Sequence, residues 1–313
     1  MTAQNILFND NWQFCLCDIG TELPALNSRH WYDVELPHDW LIGDTSKLYE
    51  TGEGWYRRTL PCSAEMLSGR VLLNFDGVYM DSTMFVNGKE AGSWTYGYSA
   101  FEFDITDLLR EGKNELLVRV QHRSPNTRWY SGAGIFRDVT LKLRPLSYIR
   151  TNGVYIHSEK EKKGWRTEVE TDIVGAPAEI RLLMELHDPA GASIGGYGME
   201  SHFDGMRESF SASFTSSDPE LWSVDEPNLY TLKICLYSGG ELLDCVTESF
   251  GFRTAEFHPD RGFSLNGVPM KLHGVCMHHD LGALGSAMNT AALSRQLRIM
   301  KDMGVNAIRT SHN

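Results

Sequence analysis

From Gly69 to Asn87 the chain reads GRVLLNFDGVYMDSTMFVN, and its side chains sort with a period of two. Val71 and Leu73 fall on one face and Leu72 and Asn74 on the other; Met84 and Val86 repeat the rhythm in the next run. That period is the signature of strands. Asn87-Gly88 follows, between MFV and KEAGSW. Two successive residues that tolerate positive φ predict a tight type I′ hairpin there. Glu115–Gln121 (ELLVRVQ) and Asp138–Leu143 (DVTLKL) read as further strands, and the pair Trp55-Tyr56 as a strand with one side, that of Trp55, in the core. No helical period interrupts this block. Many short strands with turn signals predict a sandwich or jelly roll over residues 1–146.

A second β block covers residues 147–255. Ile180–His187 (IRLLMELH) and Asn228–Tyr237 (NLYTLKICLY) are strands, with turns at Asp188-Pro189-Ala190-Gly191 and Ser238-Gly239-Gly240. This spacing fits an immunoglobulin-like sandwich, although the Cys…Trp…Cys pattern of antibody domains is missing. From Glu256 the pattern changes. Gly262–Leu265 and Val268–Val275 flank another Asn-Gly pair, Asn266-Gly267. Then Thr290–Met303 places Leu293, Leu297 and Met300 on one helical face. Asn289 is a suitable N-cap and Gly304 a suitable left-handed C′ residue. Val305–Arg309 is a short strand. Strand, helix, strand predicts a parallel, right-handed βαβ unit in residues 256–313. Such a unit cannot bury both faces alone and calls for more strands or a partner.

Composition narrows the function classes. The 313 residues carry 29 Lys+Arg against 41 Asp+Glu, a net charge of −12. With no basic stripe, nucleic-acid binding is not expected. No apolar run approaches the ~18 residues of a membrane span, so no membrane partner is expected. The start, Met1 to Trp12, lacks a basic then apolar leader; a cytoplasmic location is expected, or a periplasmic or secreted one if a leader has been removed. The six cysteines form no CxxC pair and are expected to be reduced, structural thiols.

Six stretches, in this order, resemble glycoside hydrolase family 2, the β-galactosidase and β-glucuronidase group. They are Leu36-Pro37-His38-Asp39-Trp40; Gly54-Trp55-Tyr56-Arg57-Arg58; Phe75-Asp76-Gly77-Val78 continuing to Val86-Asn87-Gly88 and Gly97-Tyr98-Ser99; Arg128 to Val139 (RWYSGAGIFRDV); Phe250-Gly251-Phe252-Arg253 with Gly262-Phe263 and Leu265-Asn266-Gly267; and Asn306 to Asn313 (NAIRTSHN). Together they span essentially the whole chain. The resemblance implies a jelly-roll sugar-binding domain, an immunoglobulin-like sandwich and then a catalytic (β/α)₈ barrel, of which residues 256–313 are only the beginning, since such a barrel takes about 250 residues. It also implies hydrolysis of terminal β-linked sugars with retention of configuration, and the RTSHN ending leans towards a β-galactosidase. A homo-oligomer is expected.

Retaining hydrolysis needs two carboxylates about 5 Å apart. The family supplies both from later barrel strands, so no catalytic residue is assigned here and the chain alone is expected to be inactive. By the resemblance, His278 after the first barrel strand, and Arg309, His312 and Asn313 at the second, line the sugar subsite. Cys276-Met277 replaces the family's frequent Asn-Arg before that histidine. Asp39, Asp76 and Asp138 are read as turn hydrogen-bonders or partners of neighbouring arginines. Trp129 and Tyr130 are read as packing against a neighbouring domain rather than stacking on sugar. His278-His279-Asp280 suggests metal only weakly, because alternation sends His279 to the opposite face from the other two. No cofactor is assigned; a divalent or sodium ion is expected only in a longer enzyme. The competing reading is a stand-alone lectin-like protein holding a glycan on its jelly roll, which leaves Asn306–Asn313 without a role.

Overall fold

The computed structural model describes residues 2–126 and 129–311. They form two compact units.

One unit joins Gln4–Leu143 with the chain from Gly274 onward. Its first part is a two-sheet β structure. A six-stranded sheet runs Tyr32–Val34, Trp12–Cys17, Gly52–Cys62, Gly112–His122, Ser82–Val86, Lys89–Trp94 in spatial order. A four-stranded sheet runs Gln4–Leu7, Val139–Arg144, Arg70–Phe75, Phe101–Asp104. Trp12, Val71, Phe75, Val86, Val118 and Val139 are all fully buried in the core. At the Asn87-Gly88 hairpin, φ values of 51° and 77° are those of the expected turn. Trp55 is buried as expected, but so is Tyr56 on the other face. Both sides of the strand are covered: the 3-10 segment Leu23–Ser28 lies over the Trp55 side, where Leu26 packs with Cys15, Cys17, Trp55 and Leu117, while Tyr56 on the other side packs with Phe14 and His38.

From Gly274 the same unit continues as α/β. Strand Gly274–Met277 pairs in parallel with Ala307–Thr310, and helix Thr290–Asp302 connects them. Asn289 caps the helix through Ala292 N at 2.9 Å, and Gly304 takes φ 84° just past its end. The helix has no fully buried residue, and Leu297 and Ile299 remain exposed. Among the described residues no helix is long and apolar enough to cross a membrane.

The second unit centres on Arg144–His273. Three strands (Ser147–Glu161, Gly164–Gly175, Met206–Ser216) face four (Ser193–Phe203, Ala178–His187, Tyr230–Ser238, Glu241–Phe250). Ile180, Leu182, Met184 and Leu186 alternate inward and share one core with Leu232, Ile234 and Phe252. The three-stranded piece Ala255–His258, Gly262–Leu265, Val268–Pro269 clusters with this unit, and its Asn266-Gly267 turn repeats the positive-φ pair.

The expectation of six reduced thiols is overturned. Cys235 and Cys245 are disulfide-bonded, while Cys15, Cys17, Cys62 and Cys276 are free. The pairing depends on a bulge that no sequence spacing reveals. Around the Gly239-Gly240 turn, Ser238 faces Glu241 and Tyr237 faces Leu242; one extra residue then shifts the register, so that Cys235 faces Cys245 with Cα atoms 4.1 Å apart. Thiol titration of the unfolded, unreduced chain is expected to find four thiols, and six after reduction. Six before reduction would contradict the bond.

Candidate functional site

The site grows from contacts between stretches far apart in sequence. Leu36–Trp40 runs beside Gly132–Phe136: His38 N donates to Ile135 O at 2.8 Å and Trp40 N to Ala133 O at 3.0 Å. Gly134, at φ 131°, is needed there, because a Cβ would meet Tyr56 Oη at 2.4 Å and the His38 carbonyl at 2.5 Å. Three of the quoted motifs therefore touch at one place.

Asp39 is the centre of that place. Its carboxylate is 5% exposed and accepts five hydrogen bonds. Oδ1 takes Leu41 N (3.1 Å), closing an Asx turn, and Ala133 N (3.0 Å). Oδ2 takes Tyr130 Oη (2.5 Å), Ser286 N (2.9 Å) and Ser286 Oγ (3.0 Å). Ser286 lies in the loop between the first barrel strand and the helix, so one carboxylate ties that loop to the jelly roll. Burial, then the bond to Asp39, pushes the Tyr130 phenol well up, which keeps it a donor. Of the expected roles for Asp39, Asp76 and Asp138, the turn hydrogen bond is met at Asp39, and an ion pair with an arginine is not found for any of the three among the described residues. Asp76 accepts from Asn74 Nδ2 and Asp138 from Asn9 Nδ2, both at 2.8 Å, and the carboxylate of Asp39 is satisfied by N–H and O–H donors instead. Tyr130 is buried as expected, whereas Trp129 is 59% exposed.

Three histidines of this unit are held neutral by burial. His38 bonds Tyr56 Oη through Nδ1 at 2.8 Å, and burial lowers it to about 4. His122 meets the Glu50 carbonyl at 2.8 Å and is lowered for the same reason. His279 meets the Ser131 carbonyl through Nε2 at 3.0 Å, packs edge-on against Tyr98 at 5.1 Å, and is lowered as well, by burial first. A carbonyl only accepts, so Nδ1 of His122 and Nε2 of His279 carry the protons. For a folded pKa below the unfolded 6.5, the unfolded chain binds more protons as pH falls. The stabilisation is full above pH 6.5 and is lost towards pH 4, by up to about 3 kcal/mol for His38. Thermal melts from pH 8 to pH 4 are expected to show the midpoint falling across that window, with a shallower slope in His38→Gln. Identical slopes would remove His38 as a cause.

The two described residues assigned from the sequence, His278 and Arg309, lie at the same pair of parallel strands. His278 is exposed, immediately past the first barrel strand. Arg309 lies within the second strand, Ala307–Thr310, opposite Cys276, and its Nη1 approaches Cys276 Sγ at 3.9 Å. One residue on, Met277 and Thr310 pair on the other face of the two strands. His312 and Asn313 lie outside the described residues. Among the described residues no group of three or more His, Cys, Asp or Glu could hold a metal.

A cavity of about 490 Å³ opens on the Met277–Thr310 face. The jelly roll contributes Tyr96, Tyr98 and Arg137, and the strand ends contribute His278 and Ser311. Gly97 lets the tyrosine loop settle on the Tyr79 ring, since a Cβ would come within 2.4 Å of it. The sequence pointed to His279 only as a weak metal candidate and did not point to the Ser286 anchor. Ser286 sits in GALGS, which has no periodicity to expose it, and the quoted LPHDW stretch gave no sign that its aspartate serves a loop 247 residues away.

Comparison with known proteins covers the chain almost entirely. The family model for the sugar-binding domain of glycosyl hydrolases family 2 matches residues 31–145, the family 2 model that follows it matches 147–253, and the family 2 TIM barrel model matches 259–313. A β-galactosidase of Bacteroides ovatus, BoGH2A, is 37% identical over 98% of this chain, which spans 38% of that protein. A β-glucuronidase of Bacteroides fragilis is 32% identical over 99% of this chain, which spans 46% of it. Among solved structures, a putative β-galactosidase from Bacteroides fragilis superposes with TM-score 0.93 at 27% identity, over 100% of this chain and 50% of that one. Bacteroides uniformis β-glucuronidase 2, covalently bound to cyclophellitol-6-carboxylate aziridine, superposes with TM-score 0.91 at 29% identity, over 99% of this chain and 40% of that one. The chain thus spans less than half the length of these two curated relatives.

Proposed function

Because the chain belongs to glycosyl hydrolase family 2, we propose that it is the front portion of a retaining β-glycosidase whose substrate is a terminal β-galactoside. The observation that carries this reading is the parallel pair Gly274–Met277 and Ala307–Thr310, with His278 and Arg309 at its C-terminal end. That end is where barrel enzymes of this kind gather substrate and catalytic groups. His278 and Arg309 act as hydrogen-bond donors to sugar hydroxyls, Arg309 with a permanent charge and a rigid fork of donors. His312 and Asn313 belong to the same subsite in this reading. Retention requires a carboxylate nucleophile and a carboxylic acid/base about 5 Å apart, with a covalent glycosyl intermediate between two displacements. The covalent adduct of the Bacteroides uniformis relative is consistent with such a nucleophile in that enzyme. Both carboxylates are proposed to lie beyond residue 313, and the jelly roll's role at the site is to hold the loop after the first strand through Asp39.

The test compares two proteins. The 313-residue chain is expected not to hydrolyse 4-nitrophenyl β-D-galactoside, and a version extended to the length of the relatives is expected to do so. Turnover by the 313-residue chain would place catalytic carboxylates within it. Activity of the extended protein on the β-glucuronide alone would keep the reaction and replace the sugar.

A further inference from the structure

The sandwich unit is closed along one side and open along the other. Ser147–Glu161 and Glu241–Phe250 lie together on the closed side. On the open side, Ser193–Phe203 is the outermost strand of the four-stranded sheet and Met206–Ser216 that of the three-stranded sheet. Among the described residues no strand pairs with either outer edge. A cavity of about 320 Å³ opens in that side, lined by Tyr197 from one sheet, by Ser211 and Ser213 from the other, and by the core residues Val169 and Ala212. Tyr197 faces inward, opposite the buried Met184, yet stays 38% exposed because its sheet ends there.

An edge strand presents a row of unpaired N–H and C=O groups, and folded chains normally guard it with proline, lysine, a bulge or a free charge. Ser193–Phe203 (SIGGYGMESHF) has neither proline nor lysine, and its pairing with Ala178–His187 is regular from Gly195 to Phe203. Its ionisable side chains are engaged by that neighbouring strand: Glu200 lies 3.9 Å from Arg181, and His202 Nδ1 meets Glu179 at 2.6 Å. We infer that Ser193–Phe203 pairs antiparallel with the same strand of a second copy of this chain, about a two-fold axis through Gly198, so that two four-stranded sheets become one. The strand is complementary to itself in that register. Tyr197 of each copy meets Met199 of the other, Gly196 meets Glu200, and Ile194 meets His202. No like charges stand opposite each other, which would destabilise the pair. Gly198 brings no side chain to the axis. Tyr197 and Met199 lie on the inward face, opposite Met184 and Leu182, so the two Tyr-Met pairs cover the open side of each sandwich, and methionine conforms well to an aromatic ring. The contact is isologous, as a closed dimer requires, and it uses no residue of the proposed sugar subsite.

Sedimentation at micromolar concentration, on the 313-residue chain and on a version extended to the length of the relatives, is expected to find a dimer of each. Register is tested by cross-linking in a Cys276→Ser background, which removes the exposed native thiol. Facing residues of an antiparallel pair have Cα atoms about 4.5–5.5 Å apart, within disulfide reach. Gly198→Cys is therefore expected to give a covalent dimer on oxidation with glutathione disulfide, and Ala192→Cys, away from the axis, is not. Folding is not at stake at Gly198, where a Cβ would meet only the flexible end of Leu183, at 3.1 Å. Charge gives a second readout at Gly196, an exposed position opposite Glu200 of the other copy. Gly196→Glu is expected to weaken the dimer several-fold, whereas Gly196→Lys is expected to leave it as tight or tighter. A monomeric extended protein would overturn the inference, including the case in which only the 313-residue chain dimerises, because the edge would then be covered by the rest of the enzyme. So would a dimer that cross-links no better at 198 than at 192, or one that responds alike to glutamate and lysine at 196.

Discussion

Asp39→Ala is expected to destabilise the unit formed by the jelly roll and the barrel strands by about 3 kcal/mol or more. The carboxylate accepts five hydrogen bonds in a place water does not reach, and its removal strands the Tyr130 hydroxyl, the Ala133 N–H and both donors of Ser286. Each buried donor left without a partner costs about 1–3 kcal/mol. At roughly 2–4 °C per kcal/mol for a unit of this size, the melting midpoint should fall by about 10 °C. Hydrogen exchange gives the sharper test, because amides of residues 281–288 should lose protection in the variant before those of the β sheets. Asp39→Asn offers an intermediate case: one oxygen can still accept, but an amide nitrogen facing Tyr130 and Ser286 cannot. A midpoint unchanged in Asp39→Ala would mean that the loop is held by packing alone.

Phe252→Ala is expected to cost the sandwich unit about 3–5 kcal/mol, the usual range for deleting a fully buried aromatic. Phe252 is 0% exposed and lies between Tyr230 at 4.8 Å, Phe250 at 5.3 Å and Trp165 at 5.4 Å. Its neighbour Gly251 leaves no room for a side chain, since a Cβ would meet Trp222 Cβ at 2.8 Å, so repacking around a void is constrained. Exchange protection should fall in Tyr230–Ser238 and Ala178–His187. Loss confined to residues near the chain end, with those two strands unaffected, would contradict the placement of Phe252 at the centre of this core.

Much of this architecture was legible in the sequence because it rests on local rules. Alternation along Ile180–His187 and the two Asn-Gly turns depend on residues a few positions apart, and Asn289 and Gly304 bracket the helix for the same reason. What escaped depends on register and distance. The Cys235–Cys245 bond needs a one-residue bulge, and the burial of both sides of the strand at Trp55-Tyr56 needs a 3-10 segment from elsewhere in the chain to cover the Trp55 side. For the site, the motif spacing led to His278 and Arg309, yet it could not show that the cavity His278 lines opens on the other face of the strands from Arg309, nor that Asp39 serves a loop instead of an arginine. Motif residues are visible one by one; the network joining LPHDW, SGAGIF and Ser286 exists only after folding.

That network bears on how the protein is made. Asp39 leaves the ribosome 247 residues before Ser286. During that interval every jelly-roll strand, including the closing one at Val139–Arg144, has been synthesised, while the buried carboxylate still lacks two of its five donors. The first domain to emerge is therefore not the first to be finished. Nascent chains halted between residues 143 and 286 are expected to carry a jelly roll loosened around Leu36–Trp40, and an expression fragment cut at the end of the sandwich would preserve that unfinished state permanently.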